Sequence, residues 1–147
     1  MNISLVDETD AVTEDGYTWV RFKAAGAITA LKVVMIDTTK TGDAKIKYVK
    51  ESLASGVGQA FSVGFALDTV ADGEFVRVCI HGFLENAAVD TDVTSGVIVG
   101  PTSGGSVGLA IAGGASITSP PLALSLETAV ADKADVYVLN PLGLPLS

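Results

Sequence analysis

The chain has 147 residues, with nine Lys and Arg against seventeen Asp and Glu, for a formal net charge of −8. That length suits one domain with its own core, and a chain that is 48% hydrophobic but only 18% charged, with sixteen glycines, reads as compact, β-rich and partly covered on its surface. The acidic balance without a Lys/Arg cluster argues against nucleic acid and against an anionic membrane as partners, and the single cysteine, Cys79, supplies neither an internal disulfide nor a multi-thiolate metal site.

The start, Met1 to Glu8, has no basic segment and turns acidic at once, so it is not read as a signal peptide. Residues 1–16 form an acidic N-terminal arm holding Asp7, Glu8, Asp10, Glu14 and Asp15, with thin apolar content. Two readings stand for it: a frayed terminus, or an extended arm that orders on a neighbouring subunit. The second makes Ile3, Leu5, Val6, Asp7 and Glu8 interface residues.

Residues 17–147 read as a single β domain. Tyr17 to Lys23 alternates, with Tyr17, Trp19 and Arg21 on one face and Val20 and Phe22 on the other. Leu31–Ile36 is an apolar run, and Lys45 to Tyr48 predicts a strand with one wet face. Strands are predicted over Phe61–Leu67 and Glu74–Ile80, joined through an Asp72-Gly73 turn. Further strands are expected over Phe83–Val89, Val97–Val99, Val107–Ala112 and Val136–Leu139. A short helix fits within Ser125–Ala131, and Pro141 and Pro145 keep the tail out of a ladder. Residues 93–126 carry no charge, but Pro101, Pro120, Pro121 and seven glycines prevent one apolar helix.

An internal echo links the two halves. Leu67-Asp68-Thr69 through Ala71-Asp72 to Val76-Arg77-Val78 matches Leu126-Glu127-Thr128 through Ala131-Asp132 to Val136-Tyr137-Val138, with one extra residue in the second copy. Ile28–Met35 and Val93–Val99 precede the two copies as similar aliphatic runs. The pattern predicts a two-fold pseudo-repeat inside one β domain.

Chemistry-bearing patterns are sparse. His81, the only histidine, stands two positions from Cys79, so a thiolate pair is conceivable on one strand face. No third group orients them, and a half-buried cysteine beside a strand-end histidine is the simpler reading. Asp90-Thr91-Asp92 opens like a calcium loop, but Ser95 and Pro101 stand where Gly and Glu belong. Gly100–Gly108 lacks the lysine of a phosphate loop, and Gly56-Val57-Gly58 lacks the third glycine of a dinucleotide fingerprint. Asp68 with Asp72, or Glu85 with Asp90, are weak candidates for an acid–base pair. Lys45, Lys47 and Lys50 form the only basic spot in the sequence. Tyr17 and Trp19 invite carbohydrate stacking, but a lone Trp on a β domain more often anchors a core or a subunit contact. No enzyme activity and no cofactor are expected.

The order of these segments is informative where the segments singly are not. Ala24-Ala25-Gly26-Ala27-Ile28, Val33-Val34-Met35, Val63-Gly64-Phe65-Ala66-Leu67, Ala71-Asp72-Gly73-Glu74-Phe75-Val76-Arg77-Val78, His81-Gly82, Val93-Thr94-Ser95-Gly96-Val97, Leu124-Ser125-Leu126-Glu127-Thr128 and Val136-Tyr137-Val138-Leu139 follow one another. This succession resembles the small decoration (capsid cement) proteins of tailed-bacteriophage heads, over about residues 20–139. The chain departs from the pattern in a long 38–60 stretch, a Gly/Ser/Pro-rich 100–122 stretch, and Lys133 in place of the second turn's glycine. The resemblance implies a compact β-barrel or β-sandwich that forms a homo-oligomer, usually a trimer. It implies binding to the major capsid protein on the outer surface of the virion, at three-fold or quasi-three-fold positions, after synthesis in the host cytoplasm. Tyr17 and Trp19 join the arm residues as expected interface positions. Other virion β modules, a tail-tube subunit or a head-fibre base, and a carbohydrate-binding module are the alternatives.

Overall fold

The computed structural model describes residues 11–42, 44, 47–51, 62–102, 107–109, 111–112, 116–117, 121–141 and 143. The fold is all-β, with twelve strands among those residues. They are β1 (Val12–Glu14), β2 (Tyr17–Ala24), β3 (Val33–Ile36), β4 (Tyr48–Glu51), β5 (Ser62–Ala66) and β6 (Phe75–Ala88), then β7 (Ile98–Pro101), β8 (Val107–Leu109), β9 (Ile111–Ala112), β10 (Ser116–Ile117), β11 (Ala123–Ser125) and β12 (Lys133–Leu139). No helix among the described residues is long and apolar enough to cross a membrane.

Strand order within the main sheet is β1-β2-β4-β3-β5-β6-β12-β11-β7-β8, and β2 also pairs with β6. That extra pairing closes β2, β4, β3, β5 and β6 into a five-stranded barrel. The alternation in β2 decides which side chains fill it: Val20, Phe22 and Ala24 point in, while Tyr17, Trp19, Arg21 and Lys23 stay half-buried outside. Val34, Val49, Val63, Val76, Val78 and Ile80 complete an interior of mostly β-branched side chains, which suit a pleated wall.

The remaining strands repeat the barrel's wiring as an open second unit. β3 pairs antiparallel with β5, and β7 with β11, at matching positions: Val33↔Phe65 and Val34↔Gly64 against Ile98↔Leu124 and Val99↔Ala123. Loop hydrogen bonds match as well. Leu31 N–H donates to Ala66 O and Gly96 N–H to Ser125 O; Leu67 N–H donates to Arg77 O and Leu126 N–H to Asp135 O. The acid that follows each leucine accepts from the outgoing strand, Asp68 from the Arg77 N–H and Glu127 from the Asp135 N–H. The pseudo-repeat is therefore a repeat of backbone wiring. Its alignment differs from the sequence expectation: nine positions separate Asp68 from Arg77 but eight separate Glu127 from Asp135. The second copy is one residue shorter, Val136 is the counterpart of Val78, and Asp132 (φ 59°), rather than Lys133, occupies the place of Gly73 (φ 82°). Val-x-Val occurs at Val76–Val78 and at Val136–Val138, whereas the counterpart of Val76-Arg77-Val78 is Ala134-Asp135-Val136, so side-chain pattern alone favours the wrong register.

β6 serves both units. The sequence predicts separate strands at Glu74–Ile80 and Phe83–Val89, whereas one 14-residue strand runs through both. Gly82 looks like a break but sits at φ +99°, where a Cβ would lie 2.4 Å from Gly16 O. Glycine is present for close approach to the β1–β2 turn, not to end the strand. Register shifts opposite Thr18/Trp19 and opposite Ala134/Val136 mark β-bulges, the second beside Asn86 at φ 56°. Through them the first half of β6 packs Val76, Val78 and Ile80 into the barrel, and the second half packs Leu84 and Ala87 into another core.

That other core joins the units. Val93, Val99, Leu122, Val136 and Val138 from the inner face of the second unit cluster with Val33, Phe65 and Cys79, which project from the outside of the barrel. Three expectations change. Val12 to Glu14, within the expected arm, pair with β2 as β1, while residues 1–10 lie outside the described residues. Leu126 to Val130 form a loop, not a helix, because their polar groups are satisfied by β11 and β12: Ser125 Oγ donates to Glu127 O, and Val130 bridges Lys133. In the Lys45–Tyr48 segment, Lys45 and Ile46 lie outside the described residues and β4 starts at Tyr48.

Candidate interaction surface

Two outward faces stand out, one on each unit. On the barrel, Arg21 lies directly opposite Arg77 and Lys23 opposite Phe75 across β2 and β6. Two arginines in register repel unless their charge is compensated. Asp68 compensates Arg77, whose Nη2 lies 2.7 Å and Nε 3.1 Å from its carboxylate, and Glu14 adds a contact at 3.8 Å. The Arg77 guanidinium holds the Asp68 carboxyl below its usual range, against the opposing effect of burial. Aromatic rings also lie against these cations. Arg21 stands 4.7 Å and Lys23 5.3 Å from the Phe75 ring centroid, and Arg77 5.6 Å from that of Trp19. Sequence reasoning missed this patch because its cations come from two strands far apart in the chain. Of the basic spot expected instead, Lys50 is paired with buried Asp37 at 3.3 Å, and Lys45 lies outside the described residues.

On the second unit, register aligns one apolar row across four strands. Phe83 opposes Tyr137, Tyr137 opposes Leu124, and Leu124 opposes Ile98. Tyr137 is 38% and Ile98 39% exposed, and Leu139 beside them is 43% exposed. The counterpart row on the barrel is Trp19, Cys79, Phe65 and Val33, of which the last three are fully buried under the second unit. Thus the fold covers the first of two equivalent apolar rows and leaves the second open. Glu85, Glu127 and Asp135 surround the open row, the counterparts of Arg21, Asp68 and Arg77 on the barrel.

Of the interface residues expected from sequence, Ile3, Leu5, Val6, Asp7 and Glu8 lie outside the described residues. Tyr17 packs at the edge of the joining core and lines a shallow cleft of about 290 Å³ with Asp15, Leu67, Phe83, Leu84 and Glu85. Burial, with help from the Glu14 carboxylate, raises its phenol pKa. Trp19 is held in place: its indole N–H donates to Glu14 Oε1 at 3.0 Å, and Arg77 lies over one ring face. A sugar has less of that ring to stack on than the sequence suggests.

The other chemical candidates have structural tasks. Cys79 is fully buried rather than half-buried, and its Sγ–H donates to the His81 carbonyl, 3.7 Å away, rather than to the imidazole. The His81 ring instead meets Tyr137 edge-on at 5.3 Å. Burial pushes the Cys79 thiol up to about 12, so it stays protonated throughout the neutral range. We expect the native protein to resist thiol alkylation at pH 8 and to react once unfolded. Rapid labelling of the native protein, at the rate of a free thiol, would contradict this environment.

Asp72 Oδ1 accepts from the Gly26 N–H, so it pins a loop and does not face Asp68 as an acid–base partner. Burial raises the Asp90 pKa, opposed by the Thr102 hydroxyl and reinforced by Asp92 and Asp132. No group of three His, Cys, Asp or Glu among the described residues is arranged to hold a metal. Gly56-Val57-Gly58 and the centre of the Gly100–Gly108 run lie outside the described residues. No family model matches the chain, and no curated protein matches it.

Proposed function

We propose that this protein is a structural component of a bacteriophage virion. In this reading it is a decoration (cement) protein that binds the outer surface of the head at three-fold or quasi-three-fold positions and stabilises the shell, without catalysis. The observation that carries the reading is the pair of unlike outward faces, one apolar and acid-rimmed and one cationic and aromatic, displayed on one β fold. Such faces suit a protein that works through contacts with other protein surfaces, copies of itself among them. Several modest contacts made at once multiply through effective concentration, so no single contact has to be tight. The succession of segments that resembles head decoration proteins supports the same reading. The major capsid protein is the partner, the virion surface the location, and a homo-oligomer, most simply a trimer, the working form.

The direct experiment mixes purified protein with undecorated heads and measures retention and the temperature at which the shells rupture. Retention with a higher rupture temperature is expected, and heads that never bind the protein refute the reading. Removing residues 1–10 is expected to weaken attachment while leaving the melting temperature of the free protein unchanged. This cut stops short of β1, which belongs to the fold. Unchanged attachment would remove the arm residues Ile3, Leu5, Val6, Asp7 and Glu8 from the contact. A tail-tube subunit would instead form hexameric rings, which native mass measurement distinguishes.

A further inference from the structure

We propose that the open apolar row of the second unit is a self-association surface, and that it receives the cationic face of the barrel from a second copy of this chain. The inference deepens the functional reading above, in which the protein works as an oligomer, by naming the two faces that meet.

The row Phe83, Tyr137, Leu124 and Ile98 is continuous across four strands, and its most exposed members are large and apolar. A sheet face of this composition is suited to contact, since apolar side chains in register across strands gain by leaving water together. Its equivalent on the barrel is covered within the chain by the inner face of the second unit. No second inner face remains in the described structure to cover the open row, so its cover must come from an outward face.

Charge selects which face. Glu85 and Asp135 border the open row, at positions equivalent to Arg21 and Arg77 on the barrel. Pairing two open rows with each other would set these carboxylates against their own copies. Pairing an open row with the barrel face sets Glu85 and Asp135 against Arg21, Lys23 and Arg77, and gives Phe75, 40% exposed, an apolar surface to rest on. The acidic residues 1–10 are a poor cover for the row for the same reason. The two partner faces differ, so the contact is head-to-tail. Such contacts either close into a ring or run on as a fibre, and a soluble assembly has to close.

The test is the mass of the full chain in solution, free of any shell, across the micromolar range. A closed oligomer is expected, of three times the 14.9 kDa chain for a trimer. Tyr137→Glu and, separately, Ile98→Lys should weaken it on the order of 30-fold, the loss typical of a central contact residue. Both positions face outward, and a single cooperative melt for the dissociated variant shows that the fold is kept. Arg21→Glu alone and Glu85→Arg alone should each favour the monomer, and the two together in one chain should restore the oligomer. A wild-type monomer, an oligomer indifferent to Tyr137 and Ile98, or a double variant that stays dissociated would each overturn the inference. An oligomer lost on removing residues 1–10 would assign the contact to the arm and overturn it too. The functional reading fails separately: a monomer that still binds heads refutes only the self-association, and an oligomer that never binds heads refutes only the shell partner.

Discussion

Gly64→Ala is expected to abolish the native fold or to lower the melting temperature by about 10 °C or more. Gly64 lies in β5, where a Cβ would be placed 1.8 Å from Cys79 O, 2.9 Å from Cys79 C and 3.3 Å from Ile80 Cα. All three neighbours are main-chain atoms of β6, so no side chain can rotate aside. Relief requires β5 and β6 to separate just where they pair, Phe65 with Cys79 and Ala66 with Val78. That separation opens the barrel and disturbs the joining core on its other side. The penalty belongs with the severe overpacking cases, about 4 kcal/mol or more. Gly96→Ala is the control. Gly96 has φ +82° but nothing within 4 Å of the added carbon, so only the left-handed backbone is penalised, by roughly 1–2 kcal/mol. Thermal melts of the two variants separate lack of room from backbone strain. A Gly64→Ala protein that melts like the wild type would show that the two strands do not approach this closely.

Much of the first unit was legible because its strands alternate cleanly. Tyr17–Ala24 has the predicted inward and outward faces, and Asp72-Gly73 makes the predicted turn, with Gly73 at φ 82°. The second unit was harder to read for physical reasons. β11 is three residues of Ala, Leu and Ser after a Pro pair, too short to show a period. The sequence divides β6 at Gly82, because a glycine that permits close approach looks the same in sequence as one that ends a strand. The repeat is visible in the residues but not its register, since a deletion at the start of the outgoing strand is revealed by hydrogen bonds rather than by side chains. Neither candidate face was visible. Arg21 and Arg77 become neighbours only when β2 pairs with β6, and Phe83, Tyr137, Leu124 and Ile98 form a row only when four strands align. The charge reversal between the units is equally hidden, because it needs both the correct register and the bulge at Asn86.

Phe65→Ala is expected to cost about 3–5 kcal/mol, the usual range for removing a fully buried phenyl ring. The more telling consequence is where the stability is lost. The barrel closes on itself and has an interior of its own, to which Phe65 does not belong. Phe65 points out of the barrel and, with Val33 and Cys79, fills the core of the second unit. The second unit has no described strand pairing that closes it, so its inner face relies on this outer row of the barrel for cover. Deleting the ring should therefore let β11 and β12 open before the barrel does. Native-state hydrogen exchange reads this directly: the β12 amides should lose protection well before those of β2 in Phe65→Ala. Phe22→Ala, which leaves a comparable cavity inside the barrel, should lower protection across both units, because the second unit has no wall to rest on once the barrel fails. If Phe65→Ala instead reduces protection evenly through β2 and β12, the two cores act as one. The second unit would then not be a sheet leaning on the first.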